Sequence, residues 1–261
     1  MKTLIKYPGG KCRVADWIIQ HFPSHRIYVE PYFGAGAVFF SKEPSYIETI
    51  NDINGEIVNL FAVCRDKPFE LARALEMTPF SREEFGNCIK IEGDAVERAR
   101  RTVVRYNQSY GAATVCQNTW KNSQTGNGPR NPELWRNLPA TVFEICDRLK
   151  NAHIENKDAF YILERYNTDE ALFYLDPPYL QSIRKRNLYK NEATADDHRQ
   201  LLELVKQTKA KVCLSAYDNE LYNSELKDWY TAEKKTTVQG GLHRTEKLYM
   251  NYQPDLLSFS N

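Results

Sequence analysis

One run of residues constrains the fold more than any other part of the chain. Residues 171–175 (ALFYL) are all apolar, and Asp176, Pro177, Pro178 and Tyr179 follow directly. A short apolar run bounded by turn residues is typical of a strand buried on both faces, and prolines cannot continue a sheet ladder because they lack backbone N–H groups. The run therefore predicts a central strand that ends at Asp176.

Further strands and helices alternate along the chain around this strand. Local residue patterns predict strands at 27–33, 47–52, 152–160, 210–218 and 242–252, the last one near a sheet edge. Apolar residues at helical spacing predict helices at 12–22, from about Gly36, and at 196–208. This order predicts an α/β fold with a doubly wound, mostly parallel, Rossmann-like sheet.

Residues 54–150 differ in character from the rest of the chain. They contain helical segments such as EIVNLFAVCRD, and a stretch at 118–132 that is rich in Asn, Gly and Pro and predicts an exposed loop. A chain of 261 residues can bury one substantial core with a smaller subdomain. We therefore expect residues 1–53 and 151–261 to form the sheet domain, with residues 54–150 as a mainly helical insertion.

Composition excludes several classes of protein. Hydrophobic residues at 42% and charged residues at 26% are close to globular averages, which disfavours disordered and membrane classes. The sequence shows neither a secretory signal nor an apolar run of bilayer length, so we expect a cytoplasmic location. Six cysteines are scattered without CxxC or Cys/His spacing, so we expect reduced thiols, Cys64 and Cys146 among them buried, and no metal site.

Ligands of doubly wound sheets bind beyond the carboxyl ends of the strands, where this chain places two polar motifs. The first is Glu30 to Gly36 (EPYFGAG), in which two glycines at a strand-to-helix turn permit close approach of a ligand. The second is Asp52, at the spacing where an acidic side chain meets ribose hydroxyls in Rossmann-like folds. A glycine turn alone is a weak signal, and Asp52 is also explained as the N-cap of the next helix.

The Asp176–Tyr179 turn is the decisive motif. Two consecutive prolines stiffen the turn and leave its carbonyl groups free to accept hydrogen bonds. Asp176 and a proline carbonyl can accept both hydrogens of an aromatic amine, while the Tyr179 ring offers a stacking face for a base. The alternative is a rigid turn with only a structural role.

With these motifs in this order, the chain resembles the Dam-type DNA adenine-N6 methyltransferases over nearly its whole length. The motifs that carry the resemblance are Lys6–Lys11 (KYPGGK), Pro31–Gly36, the insertion, DPPY, Asp158–Phe160, Asp197-His198, Leu214–Asp218, and Arg244–Glu246 to Asn251. One departure is Tyr7-Pro8, which stands where Dam has Trp-Ala.

The resemblance implies an S-adenosyl-L-methionine-dependent enzyme, with S-adenosyl-L-homocysteine as its product, that methylates adenine N6 by direct in-line displacement. The implied target is double-stranded DNA with the adenine flipped out of the helix, because the amine of a paired adenine is occupied. The implied catalytic residues are Asp176, Pro177, Pro178 and Tyr179. The implied cofactor-binding residues are Tyr7, Lys11, Glu30, Pro31, Phe33, Gly34, Ala35, Gly36, Asp52, Asp158, Ala159, Phe160 and Asp176.

Because the net charge is only +1, DNA contacts must come from local basic or polar patches. One basic group lies at 98–105 and another follows DPPY; both are also explained as ordinary solvated charge, and we favour DNA contact for the second. The candidate DNA-binding residues are Arg105, Asn107, Lys121, Asn122, Arg130, Arg184, Lys185, Arg186 and Lys190.

Alternatives within methyl transfer are cytosine N4, RNA adenine and protein glutamine, whose enzymes more often have Ser or Asn at the position of Asp176. An inactive DNA-binding protein that keeps the fold is an alternative from another class. The resemblance is compatible with a bacterial or bacteriophage gene and with a partner restriction endonuclease. The recognition sequence and the oligomeric state are not predicted.

Overall fold

The structure is a computed structural model that describes residues 3–110, 120–122, 131–179, 194–237 and 243–255. Its strands are β1 (Ile27–Glu30), β2 (Ile47–Asn51), β3 (Ala152–Glu155), β4 (Ala171–Leu175), β5 (Lys211–Tyr217), β6 (Tyr230–Thr237) and β7 (His243–Met250). Its helices are α1 (Ala15–Ile19), α2 (Ala37–Ser41), α3 (Gly55–Asp66), α4 (Pro68–Glu76), α5 (Arg82–Asn87), α6 (Ala95–Gln108), α7 (Asn131–Arg136), α8 (Leu138–Leu149), α9 (Ala159–Arg165), α10 (Ala195–Gln207) and α11 (Glu220–Glu225).

The strands form one seven-stranded sheet in the order β3-β2-β1-β4-β5-β7-β6. Strand β1 pairs in parallel with β2 and β4, β4 pairs in parallel with β5, and β7 pairs antiparallel with β5 and β6. All five residues of β4 are buried, as the apolar run predicts for a central strand. The predicted α/β fold with a mostly parallel, Rossmann-like sheet is confirmed.

Several element boundaries differ from the sequence prediction. Strand β1 ends at Glu30 rather than at residue 33, because a turn toward Gly34 follows it. The segment predicted as a strand at 152–160 ends at Glu155, since Asp158 caps α9 with its side chain. The predicted loop at 118–132 is wrong at its end, where α7 begins at Asn131; residues 118–119 and 123–130 lie outside the described residues.

The carboxyl-terminal strand is also placed differently from the prediction. The sequence predicts it near a sheet edge, yet β7 lies between β5 and β6. The edge strand on this side of the sheet is β6, which the sequence reasoning missed because its segment YTAEKKTT is rich in charge and lacks an apolar face. Charged side chains are a common feature of edge strands, where they discourage pairing with other chains.

Polar caps define where the main helices begin. Asn54 accepts from the Glu56 amide at the start of α3, so the alternative role of Asp52 as the N-cap of this helix is wrong. Thr194 and Asp197 form a capping box at the start of α10, each side chain accepting from the other residue's amide. These caps satisfy amides that a helix leaves without intrahelical partners.

Contacts divide the chain into two compact units. Unit 1 comprises Met1–Cys12, Gly34–Phe40 and Asn54–Ile154, and unit 2 comprises Arg13–Phe33, Ser41–Ile53 and Glu155–Asn261. The core of unit 2 consists of buried residues from β4, β5 and α10, such as Phe173, Leu201 and Leu214. The division of function between a sheet domain and an insertion at 54–150 stays a prediction.

Two further expectations concern membranes and thiols. Among the described residues, no helix is both long and apolar enough to cross a bilayer. Cys64 and Cys146 are buried free thiols, as predicted. Burial in apolar surroundings raises the pKa of the Cys64 thiol, which keeps it protonated and unreactive.

Candidate active site

The carboxyl ends of three parallel strands bring the central candidates of unit 2 to one edge of the sheet. Strand β1 lies between β2 and β4, with Glu30 paired to Ile50 and Val29 paired to Phe173. Asp52 and Asp176 each follow the last residue of a strand, β2 and β4 respectively. Carboxylates therefore stand at the ends of all three strands, where doubly wound sheets bind their ligands.

Asn51 holds the backbone at these strand ends, a role that the sequence reasoning missed. Its side-chain amide donates to the carbonyl oxygens of Pro31 and Lys157, at 3.0 Å each, and its Oδ1 accepts from the Lys157 amide at 2.8 Å. Asn156 Nδ2 donates to the Asp52 carbonyl at 2.7 Å. These bonds tie the turn after β1, the end of β2 and the segment before Asp158 together.

Asp158, at the start of α9, is a further carboxylate in unit 2. Asp158 Oδ1 accepts from the Phe160 amide at 2.8 Å, so this oxygen serves the helix cap. Tyr32 is largely buried near this group, and burial with the charges of Asp158 and Asp197 raises the pKa of its phenol. Ala159 is buried and Phe160 packs against the core of unit 2. Because one carboxylate oxygen caps the helix, Asp158 has a structural role besides any role toward a ligand.

The Asp176–Tyr179 turn leaves β4 at the centre of the sheet. Asp176 is partly exposed, whereas Tyr179 is only 6% exposed. The Tyr179 hydroxyl donates to Glu246 Oε1 at 2.8 Å, and the Tyr179 ring lies 4.3 Å from the Tyr217 ring, measured between centroids. The turn thus presents a carboxylate beside an aromatic ring whose far end is held in place.

Glu30 is a second buried carboxylate at this edge. It is 3% exposed, and Tyr28 donates its hydroxyl to Glu30 Oε2 at 2.7 Å. Burial, together with the charges of Asp176, Glu30 and Glu246, raises the pKa of the Tyr174 phenol on β4. Glu30, Asp176 and Glu246 therefore all lie near the Tyr174 phenol.

Unit 1 contains the glycine turn and the amino-terminal motif. Gly34 and Gly36 have positive φ angles of 52° and 68°, a conformation that other residues rarely adopt. A Cβ atom on Gly34 would lie 2.9 Å from Cδ1 of Tyr7, so the Tyr7 ring packs directly on this glycine. Lys11 is 5% exposed and donates to the Gly9 carbonyl at 3.1 Å. Unit 1 therefore brings Tyr7 to the glycine turn and buries Lys11.

The predicted DNA-binding residues are in very different surroundings. Asn107 is buried, and its amide group donates to the carbonyl oxygens of Leu4 and Val103, so the structure uses it internally. Lys121 and Asn122 are partly exposed, and the Asn122 carbonyl accepts from the Tyr110 hydroxyl. Arg105 is partly exposed on α6. The remaining candidates lie outside the described residues: Arg130, Arg184, Lys185, Arg186 and Lys190.

The basic residues at 98–105 include two internal ion pairs. Arg100 Nε donates to Glu97 Oε2 at 2.7 Å, and Arg101 Nε donates to Glu97 Oε1 at 2.6 Å. These two bonds lower the pKa of Glu97 to about 2. For Arg100 and Arg101 the structure therefore favours the alternative of protein-internal charge over contact with DNA phosphates.

Lys6 begins the KYPGGK motif, but the sequence alone assigns it no role of its own. Desolvation, followed by the charge of the neighbouring Lys121, lowers its pKa to about 8. Two lysines placed together repel each other unless an anion lies near both of them. This pair could have been found in the sequence only by knowing that residues 6 and 121 meet.

Metal ligation has no support among the described residues, where no group of three or more His, Cys, Asp or Glu side chains could hold an ion. The absence of a metal role stays a prediction.

A methyl-transfer enzyme of Rossmann-like fold is the class that this sheet and its strand ends define, since a central parallel strand runs into Asp-Pro-Pro-Tyr and neighbouring strands end in carboxylates. The model of the D12 class N6 adenine-specific DNA methyltransferases matches residues 7–240, and the chain belongs to this family.

Two curated proteins similar to this chain are named DNA adenine methylases. The DNA adenine methylase of Escherichia coli K12 is 25% identical over 295 residues, covering 98% of this chain and 97% of that protein. The DNA adenine methylase of Salmonella typhi is 25% identical over 291 residues, covering 97% and 96%. A solved rRNA methylase from Streptococcus thermophilus covers 93% of this chain and 96% of its own, at 8% identity and a TM-score of 0.34.

Proposed function

We propose that the protein transfers a methyl group from S-adenosylmethionine to the N6 amine of adenine in double-stranded DNA. The observation that carries the proposal is the Asp176–Tyr179 turn at the end of the central parallel strand, with its tyrosine held by Glu246. The family to which the chain belongs acts on the same atom. A DNA substrate makes the bacterial cytoplasm the place of action.

Asp176 and the Pro177 carbonyl accept the two hydrogens of the target amine. An amine conjugated with a purine is a poor nucleophile, and acceptors on its hydrogens favour the tetrahedral geometry that exposes a lone pair. Asp176 polarises the amine and need not remove its proton before attack. As the nitrogen–methyl bond forms, the methyl–sulfur bond breaks, and the nitrogen then loses one proton to Asp176 or to solvent. Tyr179 stacks on the adenine after the base has left the helix, and so replaces the stacking that the base has lost.

The carboxylates and the glycine turn fit the chemistry of the cofactor. When bound, S-adenosylmethionine supplies an electrophilic methyl group on a sulfonium centre. In unit 2, Asp52 accepts from the ribose hydroxyls, while Asp158 and Phe160 hold the adenine ring. In unit 1, the turn of Gly34 and Gly36, whose positive φ angles other residues rarely adopt, would bind the methionine part together with Lys11. Holding the reacting atoms in line is the main contribution of these residues.

Methylation of DNA by the purified protein tests this function. DNA is incubated with S-adenosylmethionine carrying a labelled methyl group, digested to nucleosides and analysed by mass spectrometry. Label in N6-methyl-2′-deoxyadenosine supports the proposal, whereas label only in N4-methyl-2′-deoxycytidine, or label only in parallel reactions with RNA or protein in place of DNA, assigns the enzyme to another target. Mapping the methylated adenines also gives the sequence that a partner restriction endonuclease would cut.

Binding of the product should stabilise the protein. A ligand that binds only the native state adds about 2.7 kcal/mol of stability when its free concentration is 100 times its dissociation constant. We therefore expect excess S-adenosylhomocysteine to raise the melting temperature by several degrees, and adenosine alone to raise it less. An unchanged melting temperature would remove the cofactor site from the proposal.

DNA affinity should depend on the charge of Lys6. Its pKa of about 8 means that Lys6 is charged below that pH and loses its charge above it, so any attraction to phosphate declines between pH 7 and pH 9. Lys6→Arg keeps the charge and should flatten this decline. Fluorescence anisotropy with a labelled duplex across this pH range is the measurement.

Lys150→Arg provides the matched control, because Lys150 is exposed and its pair with Asp147 raises its pKa. This variant should show the same decline as the wild type. If Lys6→Arg also matches the wild type, Lys6 does not contact the DNA.

A further inference from the structure

Glu246 lies on strand β7, outside the motifs to which the proposed chemistry is assigned, yet it contacts the tyrosine of the Asp176–Tyr179 turn. Its Oε1 atom accepts a hydrogen bond from the Tyr179 hydroxyl at 2.8 Å and another from the Ser215 hydroxyl at 2.5 Å. Glu246 is 4% exposed and Ser215 is fully buried. A carboxylate is costly to bury, so its hydrogen bonds determine whether the side chain is tolerated there.

The sheet register brings these groups together on one face. Glu246 of β7 lies directly opposite Tyr217 of β5, and Ser215 precedes Tyr217 by two residues. Residues two apart on a strand share a face, and directly opposed residues do as well. Ser215, Tyr217 and Glu246 therefore present one surface, and Tyr179 contacts Tyr217 and Glu246 on it.

Two contacts restrain the Tyr179 ring from different directions. Glu246 holds the phenol oxygen at one end of the ring, while the Tyr217 ring packs against it with centroids 4.3 Å apart and an interplanar angle of 55°. Burial raises the pKa of the Tyr179 phenol well above its usual value, so the hydroxyl stays protonated and remains the donor. The ring has only two side-chain torsions, and these contacts restrict both.

We propose that Glu246 is a positioning residue for methyl transfer, which holds the Tyr179 ring in the orientation that stacks on the target adenine. This inference rests on the proposed roles of Asp176 and Tyr179. Glu246 touches neither substrate nor cofactor in this scheme; it acts through Tyr179. A base held on a restrained ring keeps its amine at Asp176, whereas a base on a rotating ring spends less time in line for attack.

The test compares variants that separate the acceptor oxygen from the bulk of the side chain. Glu246→Ala removes the acceptor, and Glu246→Gln keeps an oxygen that can accept from both hydroxyls. Tyr179→Phe keeps the ring and removes the hydroxyl. Glu233→Gln is the matched control, because Glu233 lies on the neighbouring strand β6, where it is half-exposed and pairs with Lys247.

Three measurements are made on each variant: the melting temperature with S-adenosylhomocysteine, the single-turnover methylation rate, and the fluorescence of 2-aminopurine placed at the target position. A stacked 2-aminopurine is quenched, so its fluorescence reports how well Tyr179 holds the base. We expect Glu246→Ala to lower the rate roughly 10- to 100-fold, the effect of losing a hydrogen bond to a charged group. Its bound 2-aminopurine should be brighter than in the wild type, while the response to S-adenosylhomocysteine persists.

Glu246→Gln should recover most of the rate and the quenching, and Glu233→Gln should match the wild type. Glu246→Ala introduced into Tyr179→Phe should add little to the loss already caused by Tyr179→Phe, because the two changes break the same bond. If Glu246→Ala does not fold, Tyr179→Phe alone carries the test, with the same lower rate and brighter fluorescence expected.

Wild-type rate and quenching in Glu246→Ala or in Tyr179→Phe would overturn the inference, as would fully additive losses in the double variant. These results differ from failure of the proposed function itself. In that case the wild type would not methylate adenine, or Asp176→Ala would methylate as fast as the wild type.

Discussion

Replacing Asp176 by alanine should lower the single-turnover rate of adenine methylation roughly 100- to 1,000-fold, the typical cost of removing one preorganised electrostatic group. Asp176 follows the buried strand β4 and is itself partly exposed, so the packing of the strand does not depend on its carboxylate. The Pro177-Pro178 turn survives the change. The variant should therefore fold and bind both S-adenosylhomocysteine and DNA, while losing an acceptor that matters most in the transition state.

Asp176→Asn should be less damaging than Asp176→Ala, because an amide oxygen still accepts one hydrogen bond. Asp169→Ala is the matched control: Asp169 is exposed and lies just before the opposite end of the same strand. Rapid-quench measurement on an adenine-containing duplex gives the rate. A wild-type rate for Asp176→Ala would remove this residue from the mechanism and with it the strongest support for the proposed function.

Replacing Asp52 by alanine should weaken binding of S-adenosylhomocysteine roughly 10- to 100-fold, because ribose hydroxyls would lose a charged acceptor whose hydrogen bonds contribute about 1.5–3 kcal/mol. Asp52 is 8% exposed and follows β2, and the Asn156 side chain holds its backbone carbonyl. The helix that follows is capped by Asn54, so the variant keeps the start of α3.

Isothermal titration calorimetry with S-adenosylhomocysteine measures this effect. Asp52→Asn should bind with intermediate affinity, and Asp66→Ala, which removes an exposed carboxylate paired with Arg65, should bind as the wild type does. If Asp52→Ala binds with unchanged affinity, the ribose is held by another group.

Local patterns predicted the parallel part of the sheet and missed its antiparallel edge. Strand β4 is visible in the sequence because burial on both faces requires apolar residues at every position. Strand β6 is not visible, since its Glu and Lys side chains are typical of loops and exposed helices as well as of edge strands. The pattern at 152–160 predicts a strand through Asp158, whereas the strand ends at Glu155 and Asp158 caps α9; a helix cap and a strand end both favour a polar residue after an apolar segment.

Local sequence patterns likewise identify only part of the candidate site. Motifs identified residues that are contiguous in the chain, such as Asp176 to Tyr179. The groups that hold those residues come from distant segments: Asn51 bonds to Lys157, and Glu246 bonds to Tyr179. Neither pairing has a local signature, since each depends on the strand order and register of the sheet.

Unit 1 is built from three separate stretches of the chain, which has a consequence for protein engineering. Helices from the 54–150 region pack with two segments from earlier in the chain: Asn107 donates to the Leu4 carbonyl, and Arg148 lies over the Phe39 ring at 3.9 Å. Leu4 and Phe39 are both fully buried. In a chimera that exchanges only residues 54–150 between two relatives, the transferred helices would lose their contacts with Leu4 and Phe39 of their own protein. We therefore expect an exchange of the 54–150 helices to keep their packing only when residues 1–12 and 34–40 are exchanged with them, since the three stretches belong to one compact unit.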